Sequence, residues 1–210
     1  MKKVYDEIVK HYEQCLEKHG DSHLGVDWPN PEDADRRYKI MLDIIRVNED
    51  NDNTVSLLDF GCGTAGLLDY INKVGNQKIV FSGLDISSKF VEVAQKKYPD
   101  NSFYCFDILD LNKKLPSFDY IVMNGVFTEK RGLTYDEMFD YFTKLLMKVM
   151  QFAKKGVAFN VMSKAVDWER DDLFHLPMDQ LNEFLCKNLT RNFIIRNDYG
   201  LYEYTTYLYK

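Results

Sequence analysis

The run Val55-Ser56-Leu57-Leu58-Asp59-Phe60-Gly61-Cys62-Gly63-Thr64-Ala65-Gly66 constrains this chain more than any other stretch. An apolar segment suited to a buried strand gives way to Gly61, Gly63 and Gly66, and a helix-like segment over 67–74 follows. Glycines at a strand's end weaken it unless the backbone must bend sharply or approach something closely. Strand, glycine turn and helix in that order predict the opening βα unit of a parallel sheet. What the turn holds stays open at this point: nothing at all, a pyrophosphate, or a group of positive charge.

The rest of the chain extends the pattern. Apolar strands are predicted over 79–85, 103–107, 118–124 and 156–162, with helices over 87–98 and 135–153. This alternation implies a doubly wound sheet. The end departs from it. A helix over 178–188 precedes strands over 192–198 and 203–209, joined only by Tyr199-Gly200-Leu201-Tyr202. That link is too short for a helical crossover, so the two strands must pair antiparallel. Upstream, Val4, Ile8, Val9, Tyr12, Cys15 and Leu16 give a helix over 3–18, closed near Gly20. A turn-rich loop over 21–35 leads to a second helix carrying Tyr38, Ile40, Met41, Ile44 and Ile45, before the polar run 48–53. The expectation is an α/β chain: a mostly parallel seven-stranded sheet ending in an antiparallel hairpin over 54–210, with an N-terminal helical cap over 1–53.

Composition narrows the function classes. A chain of 210 residues suits one domain with a good core, and 45% apolar with 29% charged residues is ordinary for a soluble protein. A net charge of −6 argues against a surface that neutralises nucleic-acid phosphates. The opening MKKVYDEIVKHYEQ lacks a signal-peptide core, and no apolar run reaches membrane-spanning length. Cys15, Cys62, Cys105 and Cys186 show no C-x-x-C spacing, which suggests free thiols in a cytoplasmic protein.

The strand ends separate the ligand readings. Asp85 stands where an acid grips ribose hydroxyls, a feature that nicotinamide and other nucleoside cofactors share. Asp59, two residues before Gly61, would repel a pyrophosphate but attract an ammonium. Asp107 ends the third strand in a place suited to an adenine amine, with Ile108 beside the ring. Asp59-Phe60-Gly61-Cys62-Gly63-Thr64, Asp85, Asp107 and the terminal hairpin together resemble a class I S-adenosylmethionine (SAM)-dependent methyltransferase, over about residues 55–210. The resemblance implies SAM as cofactor, with Gly61, Cys62 and Gly63 at its methionine part and Asp85 with Ile86 at the ribose. It further implies Asp107 and Ile108 at the adenine, and Asn124 with Gly125 beside the sulfonium. Ala65 departs from the family's third glycine. The alternatives are an NAD-dependent oxidoreductase and a non-catalytic SAM-binding partner protein.

The acceptor is less legible. Asn124-Gly125-Val126-Phe127 lacks the prolines that resemble a base N-methylating site, and the acids show no metal-ligand spacing, so no metal is expected. A small polar molecule methylated on O or N, such as a sugar or glycan precursor, is the expected partner, with the chain a monomer or homodimer. Candidate bases are His175 and His23. Arg37, or its neighbour Arg36, is the candidate partner of the cofactor carboxylate. The loop around Trp28 reads as a lid, Asn160 as structural, and 196–199 as a further acceptor contact.

Overall fold

The computed structural model describes residues 3, 5–46, 54–76, 78–110 and 113–210; Val4, the polar run 48–53 and the proposed boundary at 53/54 lie outside the described residues. β1 (Val55–Phe60) runs parallel to β2 (Ile79–Asp85) on one side and β4 (Phe118–Phe127) on the other. β3 (Ser102–Cys105) continues beyond β2, and β5 (Ala153–Ser163) beyond β4, both parallel. β8 (Glu203–Tyr209) joins β5 antiparallel, and β7 (Phe193–Arg196) pairs antiparallel with β8 at the edge. The order 3-2-1-4-5-8-7 is the expected parallel sheet with its closing hairpin. An eighth strand, β6 (His175–Leu176), pairs with the end of β5. With two residues it has no alternation to read, so the seven-strand expectation misses it.

Neighbouring residues on a strand face opposite sides of a sheet, and β1 shows what that builds. Leu57 joins a cluster with Met41, Leu67 and Ala94, from α2 (Pro31–Leu42), α3 (Gly66–Val74) and α4 (Ser88–Lys97). Leu58 joins the opposite cluster, with Phe142 and Leu146 of α5 (Tyr135–Met150), Phe184 of α6 (Met178–Asn188), and Ile8 of α1 (Asp6–His19). Strands buried on both faces carry continuous apolar runs, which is why β1, β4 and β5 stand out in the sequence.

Local chemistry sets the helix limits. Gly20 at φ 64 ends α1, and its N–H bonds Leu16 O. Asn30 caps α2 through the Glu32 N–H, with Pro31 opening the helix. The supposed loop over 21–35 thus holds a short 3-10 turn, His23–Val26, and the start of α2. A reciprocal Thr134–Glu137 capping box starts α5. The helix expected over 135–153 stops at Met150, because Ala153 already pairs with Phe118 in the sheet. No helix among the described residues is long and apolar enough to cross a membrane.

Candidate active site

The strand order reverses between β1 and β4, and ligands of open α/β sheets bind outside the carboxyl ends of the strands at such a switch point. The glycine turn lies there. Gly61 and Cys62 donate their N–H groups to Leu84 O at 2.7 and 3.0 Å, which folds the turn back over β2. Gly61 has φ 76, and a Cβ on it would stand 2.8 Å from Val126 Cγ2, so no other residue fits comfortably. Ala65, where the glycine pattern breaks, adopts φ 65 at the start of α3. An alanine holds this left-handed conformation at a cost of about 1–2 kcal/mol.

A cavity of about 440 Å³ opens above the turn, lined by the strand ends, α1, the 3-10 turn and α2. Three acids project to it from three strand ends. Asp59 is buried, and that burial, with the Asp85 charge adding to it, pushes its carboxyl up to about 8. Asp85 accepts the Gly63 N–H at 3.0 Å and the Ser87 N–H at 2.9 Å. Burial still raises it, because those bonds offset only part of the lost hydration. Asp107 behaves differently. Burial alone would raise it, but the Lys3 ammonium and the Tyr5 hydroxyl, both bonded to its Oδ2, hold it below its ordinary value. Its Oδ1 accepts the Leu109 N–H at 2.9 Å.

The family model described as a methyltransferase domain matches residues 58–156. Rv1506c of Mycobacterium tuberculosis, named provisionally as a methyltransferase, is 27% identical over 155 residues, covering 71% of this chain and 90% of that protein. Among solved structures, the magnesium protoporphyrin IX methyltransferase of Synechocystis PCC 6803 with bound SAM superposes with a TM-score of 0.64 at 16% identity, over 97% of this chain and 96% of that one. The plantazolicin methyltransferase BpumL, in complex with a pentazolic desmethylPZN analogue and S-adenosylhomocysteine (SAH), gives 0.60 at 15% identity, over 97% and 98%. The last two likenesses bear on the fold. The domain match and the Rv1506c likeness support a class I SAM-dependent methyltransferase.

Most residues singled out from the sequence converge in the cavity: Asp59, Gly61, Cys62, Gly63, Asp85, Ile86, Asp107, Ile108, Asn124 and Gly125 all line it, as does His23. Burial and the neighbouring acids push the Cys62 thiol well up, which disfavours a thiolate nucleophile there. The side-chain N and O of Asn124 are buried and have no hydrogen-bond partner among the described residues. His23 Nδ1 donates to Trp28 O at 2.6 Å, so its Nε2 is the unprotonated, accepting nitrogen of the neutral ring.

Three expectations require correction. His175 is buried away from the cavity, with Nδ1 donating to Ser163 O at 2.7 Å and Nε2 accepting the Arg170 N–H at 3.2 Å. Both ring nitrogens are used, so it cannot serve as a base as placed. Arg37 also stands outside the lining; its Nε donates to both oxygens of buried Glu203, at 2.9 and 3.0 Å. Arg36 bonds Tyr199 O at 3.3 Å, and Arg196 pairs with Asp43 and Asp198.

Sequence reasoning missed one wall. Tyr5, just before α1, and Ile8, Val9 and Tyr12 on it line the cavity, and Trp28 and Tyr38 add aromatic surface. The apolar face of α1 was legible, but not that part of it borders a cavity. Nearby, His11, Cys15 and Asp27 bring ligand atoms within 4.8 Å of one another. The Arg131 guanidinium lies against His11 Nε2 and 3.4 Å from Asp27 Oδ2, so a cation already sits among them.

Proposed function

We propose that the cavity binds SAM with its ammonium toward Asp59, its ribose on Asp85 and its adenine between Asp107 and Ile108. The methyl then passes to an oxygen or nitrogen of a small polar acceptor, a sugar or glycan precursor being the favoured class. One observation carries the cofactor pose: Asp59 is a buried acid beside the glycine turn, held neutral by burial and open to a cavity. Its carboxylate becomes favourable when a cation enters, whereas a pyrophosphate would raise its cost further. Asp85 is fixed by backbone donors, the Gly63 and Ser87 N–H groups among them, and its remaining acceptor capacity is the place for a ribose hydroxyl.

When bound, SAM supplies a methyl group on an already activated leaving group. The chain's share is alignment, exclusion of water and removal of one proton. Asn124 offers a donor and an acceptor at the cavity wall, and α1 with Trp28 closes it. His23 takes the acceptor's proton on Nε2, its tautomer set by the Trp28 carbonyl. Residues 1–53 form a cap in this reading, and residues 54–210 the catalytic domain.

The relatives named above act on a porphyrin and on plantazolicin. A cavity of about 440 Å³ that must also hold the cofactor favours a smaller acceptor here. Calorimetric titration with SAM and with NAD, followed by a metabolite screen with methyl-labelled SAM, tests both halves. Asp85→Ala is expected to weaken SAM by about 1.5–3 kcal/mol, the range for a hydrogen bond to a charged group. Tight NAD binding without SAM binding would overturn the cofactor pose, and labelling confined to proteins or nucleic acids would overturn the acceptor class.

A further inference from the structure

The end of β4 is irregular. Its pairing with β5 shifts register between Met123 and Phe127, and Gly125 sits within the shift at φ 77. The Gly125 N–H is taken up by a side chain, Asn160 Oδ1 on β5, at 2.8 Å. Asn160 is fully buried, and its Nδ2 donates to Glu203 Oε1 at 3.1 Å. Glu203, 1% exposed, takes both of its close charged contacts from Arg37 Nε. The Arg37 guanidinium lies 5.3 Å from the centre of the Trp28 ring. That ring returns to the start, because a Cβ on Gly125 would stand 3.5 Å from Trp28 Cζ2.

A closed circuit therefore joins the Asn124–Gly125 turn, two sheet strands, α2 and the cap loop. Its chemistry fixes direction as well as distance. An amide side chain can flip, but Gly125 offers only a donor and a carboxylate only accepts, so Asn160 has one orientation that satisfies both. An ion pair whose acid is 1% exposed, even with its guanidinium at 18%, is seldom more stabilising than apolar residues of the same volume. Stability alone thus gives little reason to keep a Glu–Arg pair behind this turn.

We propose that Asn160, Glu203 and Arg37 are positioning residues for methyl transfer: they hold the Asn124–Gly125 turn against the methyl-bearing end of the cofactor and couple it to the cap through Trp28. The proposal rests on the cofactor pose given above. Its test compares SAM with SAH, which lacks the methyl and the sulfonium charge, on the native protein and on Asn160→Ala, Glu203→Leu and Glu203→Gln. A purely structural role would lower thermal stability and leave the ratio of the two dissociation constants in the folded protein unchanged. A positioning role shifts that ratio against SAM by about fivefold or more in Asn160→Ala and Glu203→Leu, the equivalent of one hydrogen bond. Glu203→Gln keeps an acceptor for Asn160 and restores most of the ratio. Should the sheet variants fail to fold, Arg37→Met carries the test from the cap side, with the same ratio and Trp28 fluorescence in a Trp168→Phe background. A native protein that binds neither ligand would overturn the cofactor pose; an unchanged ratio in every folded variant, with native binding intact, would overturn the positioning role alone.

Discussion

The energetics of Asp59 lead to a quantitative expectation. Burial and the Asp85 charge raise its carboxyl from 3.8 to about 8, so the ligand-free protein holds it protonated at neutral pH. If SAM binds through the carboxylate, the protein must first give up that proton, and the observed affinity scales with the ionised fraction. That fraction is about 1% at pH 6 and about a quarter at pH 7.5, from a titration centred near 8. Affinity for SAM should therefore rise about 25-fold between those values, close to 2 kcal/mol, with nearly one proton released per SAM bound. The window stops at pH 7.5 because the ligand's own α-amino group begins to titrate near 8. Calorimetry in two buffers of different ionisation enthalpy reads both the affinity and the proton count. Asp59→Asn should flatten the profile and weaken binding at pH 7.5.

The stability sign follows from the same shift. A carboxyl whose folded pKa is raised binds more protons folded than unfolded between 3.8 and about 8, so its contribution is fully present below 3.8 and is lost as pH rises toward 8. Asp59→Asn should accordingly gain melting temperature over the native protein as pH increases across that window, in the absence of ligand. The reasoning fails if native affinity is flat from pH 6 to 7.5. It also fails if Asp59→Asn keeps the slope, which would move the titration to Asp85, also raised by burial and facing the same cavity.

Other residues offer sharper contrasts. Ala65→Gly relieves the left-handed strain at φ 65 and should stabilise the chain by up to about 1 kcal/mol, or about 2–4 °C; a lower melting temperature would contradict the strain. His175→Ala should cost about 1–3 kcal/mol of stability by orphaning the Arg170 N–H and the Ser163 carbonyl, with turnover of the folded fraction intact. His23→Ala should do the reverse, slowing turnover with SAM affinity nearly unchanged; equal turnover in native and variant would remove it as the base. Amides over 23–28 should exchange hydrogen faster than those at the centre of α1, and SAM should slow them; equal protection before ligand is added would count against the loop as a lid.

Where sequence and structure agree, the signal is local. Asp59, Asp85 and Asp107 are legible because each follows an apolar strand, and parallel strands bring their carboxyl ends to one edge whatever the loops do. The closing hairpin is legible because so short a link, four residues as expected and six in the structure, permits one pairing only. Where they disagree, the deciding partner is distant in sequence. Arg37 meets Glu203 across 166 positions, and no pattern near either residue announces it. His175 is claimed by Ser163 O through β6, a strand of two residues. The break between α5 and β5 was blurred because Gln151 and Phe152 lack turn chemistry, and the sheet, through Ala153 and Phe118, sets the boundary.

The described N-terminal elements are joined to the core in two different ways. Through Ile8, and Tyr5 just before the helix, α1 is part of the main apolar cluster, and Glu13 accepts the buried Ser87 hydroxyl at 2.6 Å. Separating α1 from the sheet would expose apolar surface. The 3-10 turn and its flanks combine ring contacts of Trp28 with Tyr38 and Arg37 with partly exposed ion pairs, Asp21 to Lys97 at 2.9 Å and Asp27 to Arg131 at 3.4 Å. Pairs of this kind are worth about 0–1 kcal/mol each. Arg131 in turn pairs with Glu129 at 2.8 Å, whose carboxyl burial lifts to about 7 despite the guanidinium. Protonation of Glu129 below that value removes one of Arg131's partners and leaves the guanidinium to His11, Asp27 and Asp172. Residues 21–28 form the segment whose ion pairs with the rest of the chain exchange for water at least cost. On the proposed reading this is also the segment that carries His23, so a base would reach the acceptor only when the loop has closed and water has been excluded.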